Sequence, residues 1–229
     1  MRPCEGCAGE CCKHYVVGLS GHDVWTIATQ LHLAPGQFAT IAQEHKSTGV
    51  GFKLDATKMT FSLVLAKRPG SDGRQQCTFL MELPDGIARC GIYPSRPSAC
   101  RVYPAQLRDG AVVFRDGIVC PKGAWNVPSD DLPAWRTSLH RSQMEWAVYA
   151  AVVHRWNEQA VLTPRAEMRT PDDYYDYLLD RYDRLHALER EMPSGEMHAV
   201  VDGWGEHAGT PAGETPWERF LTRAEQTIA

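Results

Sequence analysis

The segment from Cys77 to Pro104 constrains the fold more than any other part of the sequence. It reads CTFLMELPDGIARCGIYPSRPSACRVYP and contains three of the eight cysteines, three arginines and four prolines. Thiols and guanidinium groups are costly to bury together unless a charged group lies between them. A metal or metal cluster with thiolate ligands, whose negative charge is balanced by nearby arginines, satisfies both residue types. The segment therefore predicts a metal site.

The other five cysteines extend the predicted ligand set. Cys4 and Cys7 form a C-x-x-C pair that can direct two thiolates at one metal. Cys11 and Cys12 follow, and because successive side chains point apart, they predict two nearby sites or a second role for one thiol. The predicted metal ligands are all eight cysteines: Cys4, Cys7, Cys11, Cys12, Cys77, Cys90, Cys100 and Cys120. Eight thiolates can make two zinc sites, one or two iron–sulfur clusters, or one four-cysteine site with spare thiols.

Composition and charge restrict the compartment and the partners. The 229 residues are 43% hydrophobic, include no apolar run of membrane-spanning length, and do not begin with a signal peptide pattern. We therefore expect a cytoplasmic protein without a membrane partner, in which cysteines bind metal rather than form disulfides. Residues 1–128 carry 14 Lys+Arg and 10 Asp+Glu, whereas residues 129–229 carry 10 and 18. Metal-bound thiolates would cancel part of the excess positive charge of residues 1–128, so we expect no nucleic-acid partner.

Helix signals occur near the N-terminus and throughout the second half of the chain. Ser20 is a plausible cap for a helix whose first turn contains Asp23. Pro35 is expected to open a second helix, which would form a helical hairpin with the first. A long helix is predicted from Pro133 to about residue 160, and Thr170 is expected to cap another. The chain is therefore predicted to be mainly α.

Strand and turn signals lie between these helices. Residues 60–66 have strand composition, and the turn sequences at 84–86 and 109–110 predict two hairpins. A tight turn in the second hairpin, at residues 109–110, would place Cys100 opposite residue 119 and therefore beside Cys120. We predict a small β-hairpin region within a metal-stapled cysteine module at residues 1–128. An acidic helical region at residues 129–229 is predicted to pack on that module.

The cysteine spacing resembles that of the YkgJ-like cysteine-cluster family, which is described as zinc- or iron-chelating. The resemblance covers residues 4–122. Its motif is C-x2-C-x3-C-C, then C-x-F-L, then C-x-I-Y-x-x-R-P-x-x-C-R-x-Y-P, with a closing cysteine. The matching residues are Cys4, Cys7, Cys11, Cys12, Cys77, Phe79, Leu80, Cys90, Ile92, Tyr93, Arg96, Pro97, Cys100, Arg101, Tyr103, Pro104 and Cys120. The family is also distantly similar to flagellin lysine N-methylases, which share a similar cysteine cluster.

Three functions are compatible with these patterns. The favoured one is an iron–sulfur protein, with a 4Fe–4S cluster that has a redox role or supports an unidentified reaction. Arg96 and Arg101 are then expected to contact the cofactor by donating hydrogen bonds to its sulfurs. The alternatives are a structural zinc module that mediates protein interaction, and a methylase-like enzyme. The sequence identifies no catalytic residue, and it leaves open whether the partner is a protein or a small molecule.

Overall fold

The structure is a computed structural model that describes residues 7–45, 50–120, 125, 127–162, 169–191, 222–224 and 226–227. Its helices are α1 (Glu10–His14), α2 (Gly21–Leu31), α3 (Ser98–Val102), α4 (Leu132–Leu162) and α5 (Pro171–Glu191). None of the described helices combines the length and the apolar character needed to cross a membrane. The predicted helix caps at residues 20 and 170 are both present.

The described strands form four separate two-stranded antiparallel sheets. They are β1 (Ala39–Gln43) with β2 (Phe61–Leu65), β3 (Lys67–Pro69) with β4 (Gln75–Cys77), β5 (Leu80–Glu82) with β6 (Ala88–Cys90), and β7 (Ala105–Arg108) with β8 (Ala111–Phe114). Both predicted hairpin turns occur. Gly86 and Gly110 have φ angles of 79° and 74° at these turns, a left-handed conformation that glycine adopts without steric cost.

A single hydrophobic cluster joins residues from both halves of the chain. Val24 of α2, Val152 of α4 and Leu178 of α5 are fully buried within it. Phe52, which precedes β2, stacks on Tyr174 of α5 with the ring centroids 3.8 Å apart. Each such side chain contributes about 1.5–3 kcal/mol when it is removed from water. Apolar burial therefore holds the helices against the strand pairs.

The predicted fold class is wrong in its description of the cysteine region. We expected a small hairpin region in a metal-stapled module against which the C-terminal helices pack. The described residues contain four dispersed strand pairs and no metal-stapled module. The physical reason is that apolar side chains on both sides of residue 128 share one cluster, so their contact needs no metal. A mainly helical chain with short strands is roughly consistent with the structure, and the boundary at residue 128 stays a prediction.

The predicted helical hairpin is also wrong. Only a single 3-10 turn forms at Pro35–Gln37, and the chain then enters β1. The helix signal was a proline at a plausible first turn, but the following residues pair with β2 in a five-residue ladder from Ala39↔Leu65 to Gln43↔Phe61. Long-range pairing therefore overrides the local signal, as is common for short segments.

Candidate metal centre

A cavity of about 840 Å³ lies between α1, α3, the ends of several strands and α4. Its wall contains all the cysteines that the structure describes, and all of them are free thiols: Cys7, Cys11, Cys12, Cys77, Cys90, Cys100 and Cys120. Cys4 lies outside the described residues. We call this space the cysteine cavity. The structure therefore brings seven of the eight predicted ligands to one place, although they are separated by up to 113 positions in the sequence.

The first three of these cysteines are positioned by a glycine and a short helix. Gly9 has a φ of 76°, and a Cβ at this position would lie 2.8 Å from Leu80 Cδ1. The backbone N–H of Gly9 donates to Cys7 Sγ at 3.2 Å. Helix α1 starts at the next residue and directs Cys11 and Cys12 to the cavity, with their sulfurs 3.9 Å apart. Adjacent cysteines thus both reach the same cavity.

Two strand ends supply Cys77 and Cys90. Cys77 is the last residue of β4, and Cys90 is the last residue of β6, where it pairs with Leu80. The backbone N–H of Ala88, also in β6, donates to the carbonyl of Cys7 at 2.9 Å. The hairpin of β5 and β6 is therefore hydrogen-bonded to the N-terminal segment, and the two cysteine-bearing parts of the chain are held together by the backbone.

Cys100 and Cys120 reach the cavity by a route that differs from the predicted hairpin. The register of β7 and β8 is the predicted one, but its ladder begins at Ala105↔Phe114. Cys100 instead lies in α3, because the chain turns into a helix after Pro97. Cys120 Sγ lies 4.0 Å from the hydroxyl of Tyr103. The two cysteines line the same cavity without being opposite each other in a sheet.

Four of the thiols form a mutually interacting group. In each of the six pairs among Cys11, Cys77, Cys90 and Cys100, one thiol affects the pKa of the other electrostatically. Burial is the largest cause that raises the pKa values of Cys77, Cys90 and Cys100. The pKa of Cys11 is lowered to about 7, mainly because the Cys12 thiol donates a hydrogen bond to it. Among the described residues, no three His, Cys, Asp or Glu side chains form a ready-made site for a single ion.

The two predicted cofactor-binding arginines lie in different surroundings. Arg96 is on the cavity wall, where its guanidinium stacks 3.7 Å from the ring centroid of Tyr93. Burial raises the pKa of Cys90 overall, and the positive charge of Arg96 opposes this rise; the same charge adds a smaller contribution to the lowered pKa of Cys11. Arg101 is not on the wall that the described residues form, and its Nη2 donates instead to Glu145 Oε2 at 2.6 Å. Of these two arginines, Arg96 alone therefore lines the cavity that the described residues form.

Two carboxylates near α3 were not predicted as part of the site. Asp23 was interpreted only as a helix-start residue, yet its carboxylate also binds the N-terminus of α3. Glu145 is 4% exposed, and its sequence signal is visible in retrospect. It lies four, seven and eleven residues before Tyr149, Val152 and Trp156, which puts it on the buried face of α4. A lone carboxylate on such a face indicates a specific partner, because an unpaired buried charge is costly.

An ion pair fixes α1 beside the cavity, and it gives a testable pH dependence. Lys13 Nζ lies 2.9 Å from Glu82 Oε1, and its hydrogen bond is the main reason that the pKa of Glu82 is lowered from 4.5 to about 2. A lowered folded-state pKa adds stability above pH 4.5 that is lost as the pH falls toward 2. We expect Glu82→Gln to lower the melting temperature slightly at pH 7, with a difference from wild type that shrinks as the pH falls to about 2. Melts from pH 2 to 7 check this, with Glu158→Gln on α4 as the control.

A comparison with known protein families identifies the region that holds the cysteine cavity. Residues 3–120 match the CxxCxxCC family, whose description is "Putative zinc- or iron-chelating domain". No curated protein and no solved structure gives a significant match. The matched range contains all eight cysteines and spans just over half of the chain. The predicted resemblance to this cysteine-cluster family is confirmed, and the family match supports metal binding. The chain belongs to the CxxCxxCC family, which is described as zinc- or iron-chelating.

Proposed function

We propose that the cysteine cavity binds an iron–sulfur cluster, with a 4Fe–4S cluster favoured, and that the protein has a redox role. One observation carries this proposal: seven thiols from distant parts of the chain line a single cavity of about 840 Å³. A tetrahedral zinc site takes four thiolates around one small ion. One large cavity with more than four thiols suits a multi-iron cluster better, because a cluster occupies more space than an ion.

The donor chemistry fits this cofactor. Thiolates are soft ligands that select zinc, Cu(I) and iron–sulfur clusters, and a 4Fe–4S cluster is held by four of them. We assign these four roles to Cys11, Cys77, Cys90 and Cys100, which reach one cavity from α1, two strand ends and α3 and interact electrostatically in every pair. Cys12 interacts in the same way with Cys11, Cys77 and Cys100. The remaining thiols of the cavity, including Cys12, lie beside this set. When bound, the cluster would supply a one-electron redox centre.

The protein surroundings support a redox-active site. Arg96 is close enough for its charge to favour the thiolate forms of two of the four proposed ligands, Cys11 and Cys90. A fixed positive charge near the thiolates stabilises the more negative, reduced form of a cluster and so raises its reduction potential. Tyr93 holds the guanidinium in place from one face, and the carbonyl of the same residue accepts from Arg96 Nε at 3.1 Å. Arg96 therefore serves as a charged neighbour of the cofactor rather than a surface residue.

The colour of the protein tests the proposal. Protein purified without oxygen is expected to be brown, with broad visible absorption that dithionite bleaches, and to contain iron and acid-labile sulfide in equal amounts. A colourless protein with stoichiometric zinc would contradict the iron–sulfur assignment and favour a structural zinc module. Aerobic purification of the same preparation serves as the control, since loss of colour in air identifies an oxygen-sensitive cluster.

A further inference from the structure

Arg101 belongs to the cysteine motif but does not line the described wall of the cysteine cavity. Its role in the motif must therefore differ from that of Arg96. We propose that Arg101 is a positioning residue: with Glu145, Asp23 and Ser98 it forms a clamp that fixes helix α3 and thereby Cys100. The α3 clamp consists of two contacts, Asp23–Ser98 and Arg101–Glu145. The inference rests on the proposed function, because it assigns a role to the surroundings of one proposed ligand.

The first contact holds the beginning of α3. Asp23 Oδ1 accepts from the backbone N–H of Ser98 at 2.7 Å, and Asp23 Oδ2 lies 3.4 Å from the Ser98 hydroxyl. The same Oδ2 accepts from the backbone N–H and the hydroxyl of Ser20, both at 2.9 Å. Asp23 is 2% exposed, and Ser20 and Ser98 are fully buried. One carboxylate thus completes the capping box of the helix it belongs to and caps the helix that carries Cys100.

The second contact holds the other end of α3. Arg101 Nη2 donates to Glu145 Oε2 at 2.6 Å, a short charge-assisted hydrogen bond to a carboxylate on α4. Glu145 is 4% exposed, and among the described residues the other basic side chains near it are His22 and Arg141, whose Nε2 and Nε lie 3.5 and 3.8 Å from its other oxygen. Burial lowers the pKa of His22 to about 4, so His22 is neutral at pH 7. Arg101 therefore supplies the main charge partner of a buried carboxylate. Loss of either group would leave the other without that partner.

Helix α3 needs these contacts because it is short. It has five residues, and an isolated helix of that length is unstable in water. Its first residue has no side-chain cap from its own segment, so the carboxylate of Asp23 takes that role. The two contacts lie two residues before and one residue after Cys100 in the sequence. A shift of α3 by one residue would turn the thiol by about 100° away from the other ligands.

Arg101 lies off the described wall of the cysteine cavity, and its guanidinium contacts Glu145 instead. Ala99, Cys100 and Val102 line the cysteine cavity, whereas Arg101 is not part of its described wall. If Arg101 acted on the thiolates through its charge, replacement of Glu145 would have no reason to disturb Cys100. If Arg101 acts through the clamp, both replacements should have the same effect. This difference separates the two roles.

The test measures the reactivity of Cys100 in metal-free protein. Arg101→Gln and Glu145→Gln are each expected to raise the rate of Cys100 alkylation by iodoacetamide about tenfold, because a charge-assisted hydrogen bond that closes α3 is lost. The double variant is expected to show the same alkylation rate as the single variants, since each single change already removes the Arg101–Glu145 pair. Arg101→Lys, which keeps the charge but not the planar geometry, should give an intermediate rate. Peptide mapping follows Cys90 as the internal reference.

A matched control comes from α4, the helix that carries Glu145. Asn157 of α4 holds the segment before β2: its Oδ1 accepts from the N–H of Lys53 at 2.8 Å, and its Nδ2 donates to the carbonyl of Gly51 at 3.0 Å. Asn157→Ala removes two tertiary hydrogen bonds without touching α3, so the Cys100 rate should stay within about twofold of wild type. An equal rise in this control, or an unchanged rate in Glu145→Gln, would overturn the clamp.

The same variants also separate this inference from the proposed function. In protein purified without oxygen, the clamp variants should bind iron about tenfold more weakly than wild type, as is typical when a supporting contact of a ligand is lost. Wild-type protein without a cluster would contradict the proposed function, while the alkylation rates of metal-free protein would still decide the clamp. A wild-type cluster whose affinity both variants retain would contradict the clamp alone.

Discussion

Replacing Cys100 by serine is expected to abolish cluster binding while the helices stay folded. Cys100 is one of four thiols that interact in all six pairs, and a serine oxygen is a poor substitute for a soft thiolate ligand. We expect iron and sulfide to fall at least tenfold relative to wild type under anaerobic purification. Metal analysis and visible absorption of the purified variant measure this directly.

The retained fold in that experiment follows from the hydrophobic cluster. Cys100 is not a member of that cluster, which is built from apolar residues of α2, α4, α5 and the strand pairs. Far-UV circular dichroism of Cys100→Ser should therefore match that of wild type. Cys120→Ser is the matched comparison: it makes the same atomic change on the same cavity wall, outside the six pairs, and should keep the cluster. Full iron content in Cys100→Ser, or equal loss in both variants, would contradict the ligand assignment.

The sequence was most informative where the signal is local. The helix starts at Ser20/Asp23 and Thr170/Asp173 can be predicted from the sequence, because a cap and its backbone donor lie within one turn of each other. The turn at Asp109 can be predicted for the same reason, since Asp-Gly readily adopts the left-handed conformation that a tight hairpin requires. The strand at 61–65 was readable from its composition. Each of these features depends on a few adjacent residues.

The errors lie where distant parts of the chain decide the structure. Pro35 carried a local helix signal, but strand pairing with β2 outweighs it. The predicted hairpin gave the correct register, yet the strand was extended too far toward Cys100, because Pro97 and the capping carboxylate of Asp23 start a helix there instead. The spacing of the motif could not reveal this capping contact, which comes from a residue 75 positions away.

The candidate site shows the same contrast between features set by nearby residues and features set by distant parts of the chain. Cysteine count and spacing predicted a shared site, and the cysteine cavity contains every described member of the set. The role of Arg101 could not be predicted, since the motif places it beside Cys100 in sequence whereas the helix turns it toward Glu145. Neighbours in a helix point about 100° apart, so adjacency to a ligand says little about which way a side chain faces.

Asp23→Ala is expected to cause the largest loss of stability among single changes outside the hydrophobic cluster. The carboxylate accepts from the N–H groups of Ser20 and Ser98 and lies within 3.4 Å of both their hydroxyls. Alanine removes the carboxylate half of the α2 capping box, although the Ser20 hydroxyl can still accept from the N–H of residue 23, and it leaves the buried N–H groups of Ser20 and Ser98 without their acceptor. A buried unsatisfied donor costs about 1–3 kcal/mol, so we expect a total of about 3 kcal/mol for the two. Urea unfolding at pH 7 measures it.

Asp173→Ala provides the comparison that isolates the second helix. Asp173 forms the same kind of capping box on α5, where it accepts from the N–H of Thr170 at 2.6 Å and the hydroxyl at 2.8 Å, but the side chain is exposed and caps one helix only. Water can replace the lost acceptor there, so the loss of stability should be much smaller. If capping within α2 were the whole role of Asp23, its replacement would leave the alkylation rate of Cys100 unchanged, because burial alone would explain a greater loss of stability at this position. A clearly greater loss for Asp23→Ala, together with faster alkylation of Cys100, is expected because the same carboxylate also holds the helix that carries this thiol.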